Sequence, residues 1–338
     1  MTTTTHHRDG SGAERPGPGW LDLDRDHPEI VELRDHLVAN NGIRGLEVFE
    51  PHEIEHIVRV FRRDGFVVVD NVLNDEQVGY LRSGCDTVVD EVLALDPQRE
   101  GNRGSHRYSF GAVSTTRSQL HRPEWQMLID LPTLSPIIEA LFGSPDYLLR
   151  AASGDFCLPG AYRYQPLHSD MRDWRSNEET PFSSYRDPRG LVSTRELPCP
   201  YICVNFLTID ATTLNGATRQ IPGTQHSREP FPTLGEEPEW MKLSTVCPAP
   251  AGAVQIRDVR AWHGGTPNLS DDVRSIPNVE FYAPWFREGV SKSITYHDHQ
   301  KLSERAKQLT QFHVIDSSET LAPQTRLNVT PPRLRSDS

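Results

Sequence analysis

Hydrophobic residues follow two different spacings along this chain, and the change between them falls near residue 147. Before that point, apolar positions recur mainly at helical spacing. Ile54, Ile57 and Phe61 share one face of a segment that Pro51 opens and Gly65 closes, the expected positions of these two residues around a helix. The apolar run at residues 66–69 then predicts a strand.

Two further helices are predicted in this first half. Asn74 has the side chain of an N-cap and precedes an apolar stripe that runs at helical spacing from Val78 to Val92. A shorter helix begins near Leu134 and ends before Gly143. The first half therefore predicts a helical layer with a single strand.

After residue 147 the pattern changes to short strands separated by turn residues such as Asn215-Gly216 and Pro222-Gly223. The predicted strands cover residues 147–158, 161–170, 201–209, 217–221, 242–246, 253–262 and 275–282. Short strands behind a helical layer favour a mainly β fold, a sandwich or barrel of jelly-roll type backed by the N-terminal helices.

Composition divides the chain into a globular body and two polar ends. Residues 1–19 are mostly Thr, Gly, Pro and charged residues, and residues 317–338 are similar, so both ends are expected to be disordered tails. Residues 20–316 are expected to form a single domain with its strand-rich core at about 147–284. A segment at about 172–198, rich in charge, Ser and Pro, is expected to be a lid or insertion.

Net charge and cysteine usage restrict the possible partners and location. The formal charge of −12 disfavours binding to nucleic acids or anionic membranes. The five cysteines include no CxxC pair, which fits reduced thiols in a cytoplasm. No segment has the apolar core of a signal peptide or the length of a membrane span. We expect a cytoplasmic protein that acts on a small molecule, with its oligomeric state open.

Four polar residues carry the clearest chemical signal. On a strand, His168 and Asp170 project to the same face, and His263 supplies a second imidazole. Two imidazoles and one carboxylate leave three positions of an octahedral metal open, which suits non-haem Fe(II) that activates O₂. Arg274 follows His263 by eleven residues, and a guanidinium binds a carboxylate through two parallel hydrogen bonds. A metal site together with a carboxylate-binding arginine implies a co-substrate that has a chelating end and a remote carboxylate. 2-Oxoglutarate has both groups.

Several segments resemble the phytanoyl-CoA dioxygenase family of Fe(II)/2-oxoglutarate oxygenases. They are FRRDGFVVV at residues 61–69, YQPLHSD at 164–170, NGA and IPGTQH within 215–226, and HGGTPNLS followed by an Arg at 263–274. The resemblance implies a double-stranded β-helix, a cupin-like jelly roll. It also implies a dioxygenase that uses Fe(II), 2-oxoglutarate and O₂.

By that resemblance, His168, Asp170 and His263 hold iron, and Arg274 binds the distal carboxylate of 2-oxoglutarate. Gln165 is expected near 2-oxoglutarate or substrate. Related halogenases have a small residue where this chain keeps Asp170. The retained carboxylate favours an oxygenase.

Other residues have both a functional and a structural interpretation. HSDMRDW also resembles a stretch of ectoine hydroxylases, so Trp174 either lines the substrate pocket or packs as an ordinary aromatic. Asn205, in an apolar strand, either hydrogen-bonds 2-oxoglutarate or closes a structural network. His106 and Arg107 lie in a glycine-rich stretch, predicted as a loop between helices, that could contact substrate. Cys203 lies in an apolar run, where a buried thiol is a better interpretation than a metal ligand.

The default outcome implied by the family is hydroxylation of an unactivated C–H bond of a metabolite, with release of succinate and CO₂. Desaturation, epoxidation, ring closure and epimerisation would use the same residues. Two other interpretations stay open: a non-haem iron oxygenase that does not use 2-oxoglutarate, and a jelly-roll module that binds a ligand through a metal. Two histidines argue against Ca²⁺, which prefers oxygen ligands.

Overall fold

The computed structural model describes residues 20, 23–40, 42–171, 189, 191, 193–315, 321 and 325–327. The helices are α1 (Pro28–Asn40), α2 (Ile54–Asp64), α3 (Asp75–Leu95), α4 (Pro123–Gln126), α5 (Ser135–Phe142), α6 (Glu239–Lys242), α7 (Tyr296–Gln300) and α8 (Glu304–Thr310). The strands are β1 (Val48–Phe49), β2 (Phe66–Val69), β3 (Arg107–Ser109), β4 (Leu148–Cys157), β5 (Tyr201–Phe206), β6 (Thr218–Gln220), β7 (Val254–Asp258), β8 (His263–Gly265), β9 (Arg274–Tyr282), β10 (Ile294–Thr295) and β11 (Val314–Ile315). The predicted tails and most of the predicted lid, including Trp174, lie outside the described residues.

The helical elements predicted from sequence are confirmed with small shifts at their ends. Helix α2 begins at Ile54 rather than at Pro51, and it ends where Gly65 adopts the left-handed conformation with φ of 80°. Asn74 caps α3 through a capping box in which its side chain accepts from the backbone N–H of Gln77 and the Gln77 side chain accepts in return. Helix α5 ends at Gly143, as its sequence predicts.

The principal sheet has seven strands in the order β1-β2-β7-β5-β9-β4-β3. Only the β1–β2 pair is parallel, and the other neighbours are antiparallel. Strands β6 and β8 form a separate antiparallel pair, and isolated bridges join His168 to His263 and Ala161 to Asn268 beside it. The structure is therefore a mixed fold with one large sheet, helices on one side, and a small second sheet on the other.

Alternation along the central strands separates a hydrophobic face from a polar one. Ile202 and Val204 of β5 and Val279 of β9 belong to the main core, where they pack with buried residues of α2, α3 and α5. Asn205, which follows Val204, and Asn278, which precedes Val279, instead line a pocket between the two sheets. Because α2, α3 and α5 cover the hydrophobic face, the polar face is the one available to a ligand.

Three sequence predictions are corrected by the structure. Residues 161–170 contain isolated bridges but no regular strand, because the chain pairs with β8 and its flanks at single positions only. The predicted strand at 242–246 begins at Lys242, the last residue of the short helix α6, and it contributes one bridge, Arg219 to Thr245. Arg107 and Tyr108, predicted in a loop between helices, form the edge strand β3 paired with β4.

The predicted strands at 147–158, 201–209, 217–221, 253–262 and 275–282 correspond to β4, β5, β6, β7 and β9. Among the described residues, no helix combines the length and the apolar character needed to cross a membrane.

Candidate metal centre and its pocket

His168, Asp170 and His263 converge at one place between the sheets. Their candidate ligand atoms all lie within 4.8 Å of one another. The backbone positions them: His168 and His263 exchange N–H···O=C hydrogen bonds of 3.0 and 2.9 Å, and the Asp170 N–H donates to Val259 O at 2.9 Å. Two segments distant in sequence are thus held together by main-chain bonds, and their side chains meet.

The ring nitrogens of both histidines are oriented for metal binding. Nδ1 of His168 lies 3.0 Å from Pro166 O, and Nδ1 of His263 lies 3.1 Å from Ala261 O. A carbonyl oxygen can only accept, so Nδ1 carries the proton in each ring and the lone pair is on Nε2. A backbone carbonyl bonded to the second ring nitrogen is the usual companion of a histidine ligand.

Asp170 is held as an ionised carboxylate by positive charge around it. Arg257 of β7 donates from Nη2 to Asp170 Oδ2 at 2.5 Å. Burial alone would raise the pKa of Asp170, but His263, Arg257 and His168 hold it well below its usual range. Burial lowers the pKa of His263 well below its ordinary value, and Arg257 and His168 act in the same direction. The carboxylate is therefore charged and the imidazole neutral, the forms that bind a metal.

Arg274 is buried at the start of β9 in the same pocket. Its Nε and Nη1 atoms have no hydrogen-bond partner among the described residues. Across the sheet, Arg274 is the register partner of Cys157, and Cys157 is the partner of Arg107, so two guanidiniums lie on one row. Arg107 donates to Thr266 O at 2.5 Å and to Arg163 O at 3.1 Å. In the described part of the chain neither arginine forms an ion pair with a carboxylate, so this end of the pocket suits an anion.

Gln165 and Asn205 also line this pocket. The Gln165 Oε1 atom accepts from the Gly265 N–H at 3.0 Å, which ties it to β8. The Asn205 Oδ1 atom accepts a weak contact from Cys203 Sγ at 3.6 Å. Both amides are therefore placed beside the candidate ligands, and their proposed contacts with 2-oxoglutarate stay predictions.

The remaining sequence candidates differ in position. Arg107 lines the pocket. His106 is buried with its Nδ1 atom 2.8 Å from Ser105 Oγ, and it is not among the described residues that line the pocket. The role predicted for His106 as a substrate contact gains no support from this position.

Burial raises the pKa of the Cys199 and Cys203 thiols well above the ordinary value, so both stay protonated, consistent with buried thiols rather than metal ligands.

Arg257 is the main site residue that the sequence reasoning missed. It lies in β7, six residues before His263, with buried Ile256 beside it. The available signal was a charged residue inside an apolar strand, since a buried charge is seldom retained without a partner.

The residues present fit the cofactors suggested by the sequence. Two imidazoles with Nε2 lone pairs and one ionised carboxylate match the donor set of non-haem iron. The buried Arg274 with orphaned donors matches a remote carboxylate.

Comparison with known proteins assigns the family. The model of the phytanoyl-CoA dioxygenase (PhyH) family matches residues 61–276, well over half of the chain. The chain belongs to this family of iron- and 2-oxoglutarate-dependent enzymes. Its cofactors are accordingly Fe(II), 2-oxoglutarate and O₂.

Solved structures with a similar chain path include two enzymes of nogalamycin biosynthesis. The non-heme alpha ketoglutarate dependent epimerase SnoN is 20% identical, covers 69% of this chain and 81% of its own, and has a TM-score of 0.49. The carbocyclase SnoK is 20% identical, covers 74% and 90%, and has a TM-score of 0.46. AviO1 from Streptomyces viridochromogenes Tue57 is 20% identical, covers 73% and 99%, and has a TM-score of 0.46.

Proposed function

We propose that this chain is a dioxygenase that hydroxylates an unactivated C–H bond of a small-molecule metabolite and releases succinate and CO₂. One observation supports this most strongly: a single pocket contains the cluster of His168, Asp170 and His263 together with the buried, unpaired donors of Arg274. A metal-binding module without a co-substrate would not require that arginine.

In this proposal His168, Asp170 and His263 bind iron through Nε2, a carboxylate oxygen and Nε2. Arg274 binds the distal carboxylate of 2-oxoglutarate, and Gln165 and Asn205 hydrogen-bond the co-substrate or the substrate. When bound, iron, 2-oxoglutarate and O₂ together supply an oxidant strong enough to remove a hydrogen atom from a C–H bond.

The chain's own contribution is orientation and protection of the reaction. Arg257 fixes the direction of the Asp170 carboxylate, and the carbonyls of Pro166 and Ala261 fix the two imidazole rings. The site lies between the two sheets, whose side chains would limit the access of water to the oxidant once the cofactors are bound. Asp170 occupies a ligand position that a halogenase would leave open, so oxygen insertion is the proposed outcome.

The proposal also covers the fold type, the domain limits and the cellular location. The seven-stranded sheet and the β6–β8 pair would be the major and minor sheets of a double-stranded β-helix within a single domain at 20–316. The proposed setting is the cytoplasm, without nucleic-acid or membrane partners. The net charge of −12 supports the exclusion of polyanionic partners.

The test is a screen of metabolites with Fe(II), 2-oxoglutarate and isotopically labelled O₂, followed by mass spectrometry. Hydroxylation predicts stoichiometric succinate and a product that gains one labelled oxygen atom. A product that has lost two hydrogens would show that the reaction is desaturation or ring closure and not hydroxylation. An isomer of unchanged mass would show that it is epimerisation. A chlorinated product in chloride buffer would contradict coordination by Asp170, and turnover without 2-oxoglutarate would contradict the co-substrate.

A further inference from the structure

The charge of the pocket contrasts with that of the whole chain. Six arginines and three carboxylates line it: Arg103, Arg107, Arg117, Arg150, Arg257 and Arg274 with Asp155, Asp170 and Glu280. Fe(II) and the dianion of 2-oxoglutarate cancel one another, so the loaded pocket keeps an excess of three positive charges. In a chain of net charge −12, such a local excess attracts anions into the pocket.

Most of these arginines already have a partner or a role. Three of them pair with carboxylates: Arg257 with Asp170 at 2.5 Å, Arg103 with Asp155 at 3.6 Å, and Arg150 with Glu280. Arg107 and Arg274 form the cationic row at the 2-oxoglutarate end. Arg117 is the arginine of this set that has neither a carboxylate partner among the described residues nor a place in that row.

Arg117 is exposed, lines the pocket, and forms no side-chain hydrogen bond or ion pair with the described residues. Its backbone is in the left-handed region with φ of 59°, which non-glycine residues seldom adopt. The loop before it requires Gly111, since a Cβ there would lie 2.5 Å from Arg117 O. Strained backbone of this kind concentrates at ligand contacts.

Other residues that line the same pocket are polar as well. Ser153 Oγ is buried and has no hydrogen-bond partner among the residues that the structure describes, and Asn205 and Asn278 line the same pocket. The cavity has a volume of about 260 Å³, below the range of roughly 300–1,000 Å³ typical of ligand pockets. A hydrocarbon chain would leave these polar atoms unpaired, at an energetic cost.

We propose that the substrate is a compact, hydrogen-bonding metabolite with an anionic group, a carboxylate or a phosphate ester, and that Arg117 binds this group at the pocket mouth. The inference rests on the proposed function, in which Arg274 binds 2-oxoglutarate and is not available to the substrate. It makes Arg117 a determinant of specificity rather than of cofactor binding.

The experiment is calorimetric titration of the Mn(II)-loaded protein. 2-Oxoglutarate is added to saturation first, followed by inorganic phosphate or propionate. We expect Arg117-dependent binding of at least one anion, weakened about fivefold to tenfold in Arg117→Gln and partly kept in Arg117→Lys. Preference for phosphate would indicate a phosphate ester, and preference for propionate a carboxylic acid. Equal affinities in the wild type and Arg117→Gln, or no binding of either anion by the wild type, would overturn the proposal.

Two variants complete the design. Arg117→Gly should lose anion binding without a lower melting temperature, because glycine suits φ of 59°. Arg59→Gln removes an exposed arginine from α2, away from the pocket lining, and should bind anions as the wild type does. If the Mn(II)-loaded protein bound no 2-oxoglutarate, the proposed function would be contradicted. If it bound 2-oxoglutarate but then no phosphate or propionate, only the substrate class would be contradicted.

Discussion

The Arg257 Nη2 atom lies 2.5 Å from Asp170 Oδ2, and the same carboxylate oxygen lies 3.6 Å from His263 Nε2. The guanidinium therefore restrains a candidate metal ligand directly. Arg257 is buried in a central strand and its side chain cannot move far, so the orientation of Asp170 is fixed by the sheet. Metal sites depend on such supporting contacts for ligand orientation.

Arg257→Met should weaken metal binding, because Asp170 loses the contact that fixes its orientation. The expected loss is about 10–100-fold in affinity for Fe(II) or Mn(II), the usual effect of removing a group that supports a metal ligand. Calorimetry under anaerobic conditions measures it, with Arg59→Gln as the control. Arg257→Lys should recover part of the affinity. Unchanged metal affinity in Arg257→Met would show that Asp170 is positioned without this contact.

Arg274→Lys should separate co-substrate binding from metal binding. Lysine keeps the charge but lacks the planar pair of donors, so the affinity for 2-oxoglutarate should fall by about 1.5–3 kcal/mol. Affinity for Mn(II) should stay the same, since Arg274 is not among the clustered ligands. Titration of Mn(II) and then of 2-oxoglutarate into the same preparation measures the two affinities. An unchanged affinity for 2-oxoglutarate in Arg274→Lys would show that Arg274 does not bind its distal carboxylate. No binding of 2-oxoglutarate by the wild type would favour an oxygenase that does not use it.

A buried ion pair supports the segment that leads to His168. Arg219 and Glu237 have fully buried side chains and form hydrogen bonds of 2.5 and 3.0 Å, while Arg219 Nη2 donates to Gln165 O at 2.6 Å. Glu237→Leu should destabilise the protein by about 3–5 kcal/mol, because it leaves Arg219 as an uncompensated buried charge.

The double variant Arg219→Met with Glu237→Leu tests this reason. It should regain most of the lost stability, since no buried charge remains unpaired. Urea unfolding of the wild type, the single variant and the double variant measures the difference. Equal stability of the single and double variants would mean that the loss arises from packing and not from charge.

Local sequence signals predicted the helical layer and most of the large sheet. Asn74 precedes one apolar stripe and Gly65 follows another, and they predict a helix start and a helix end from residues close in sequence. Both predictions are confirmed. Short strand-like segments between turn residues predicted β5 and β9 for the same reason. The segment 161–170 was predicted wrongly as a regular strand, because its pairing depends on distant residues such as His263 and Asn268.

The candidate site was predictable in part. His168, Asp170, His263 and Arg274 have side chains and spacings that indicate metal and carboxylate binding, and the structure brings all four to one pocket. Arg257 could not be assigned in this way. Its contact with Asp170 depends on how β7 lies against residues 168–170, a relation between segments separated by 87 positions.

The central claim is that His168, Asp170 and His263 hold iron in a complex with 2-oxoglutarate. Anaerobic Fe(II) and 2-oxoglutarate should give a visible charge-transfer band with the wild-type protein. His168→Ala and His263→Ala should each abolish it, while His226→Ala should keep it, because the His226 ring Nδ1 lies beside Arg195 O, apart from the cluster. Retention of the band with normal iron content in both ligand variants would contradict the account.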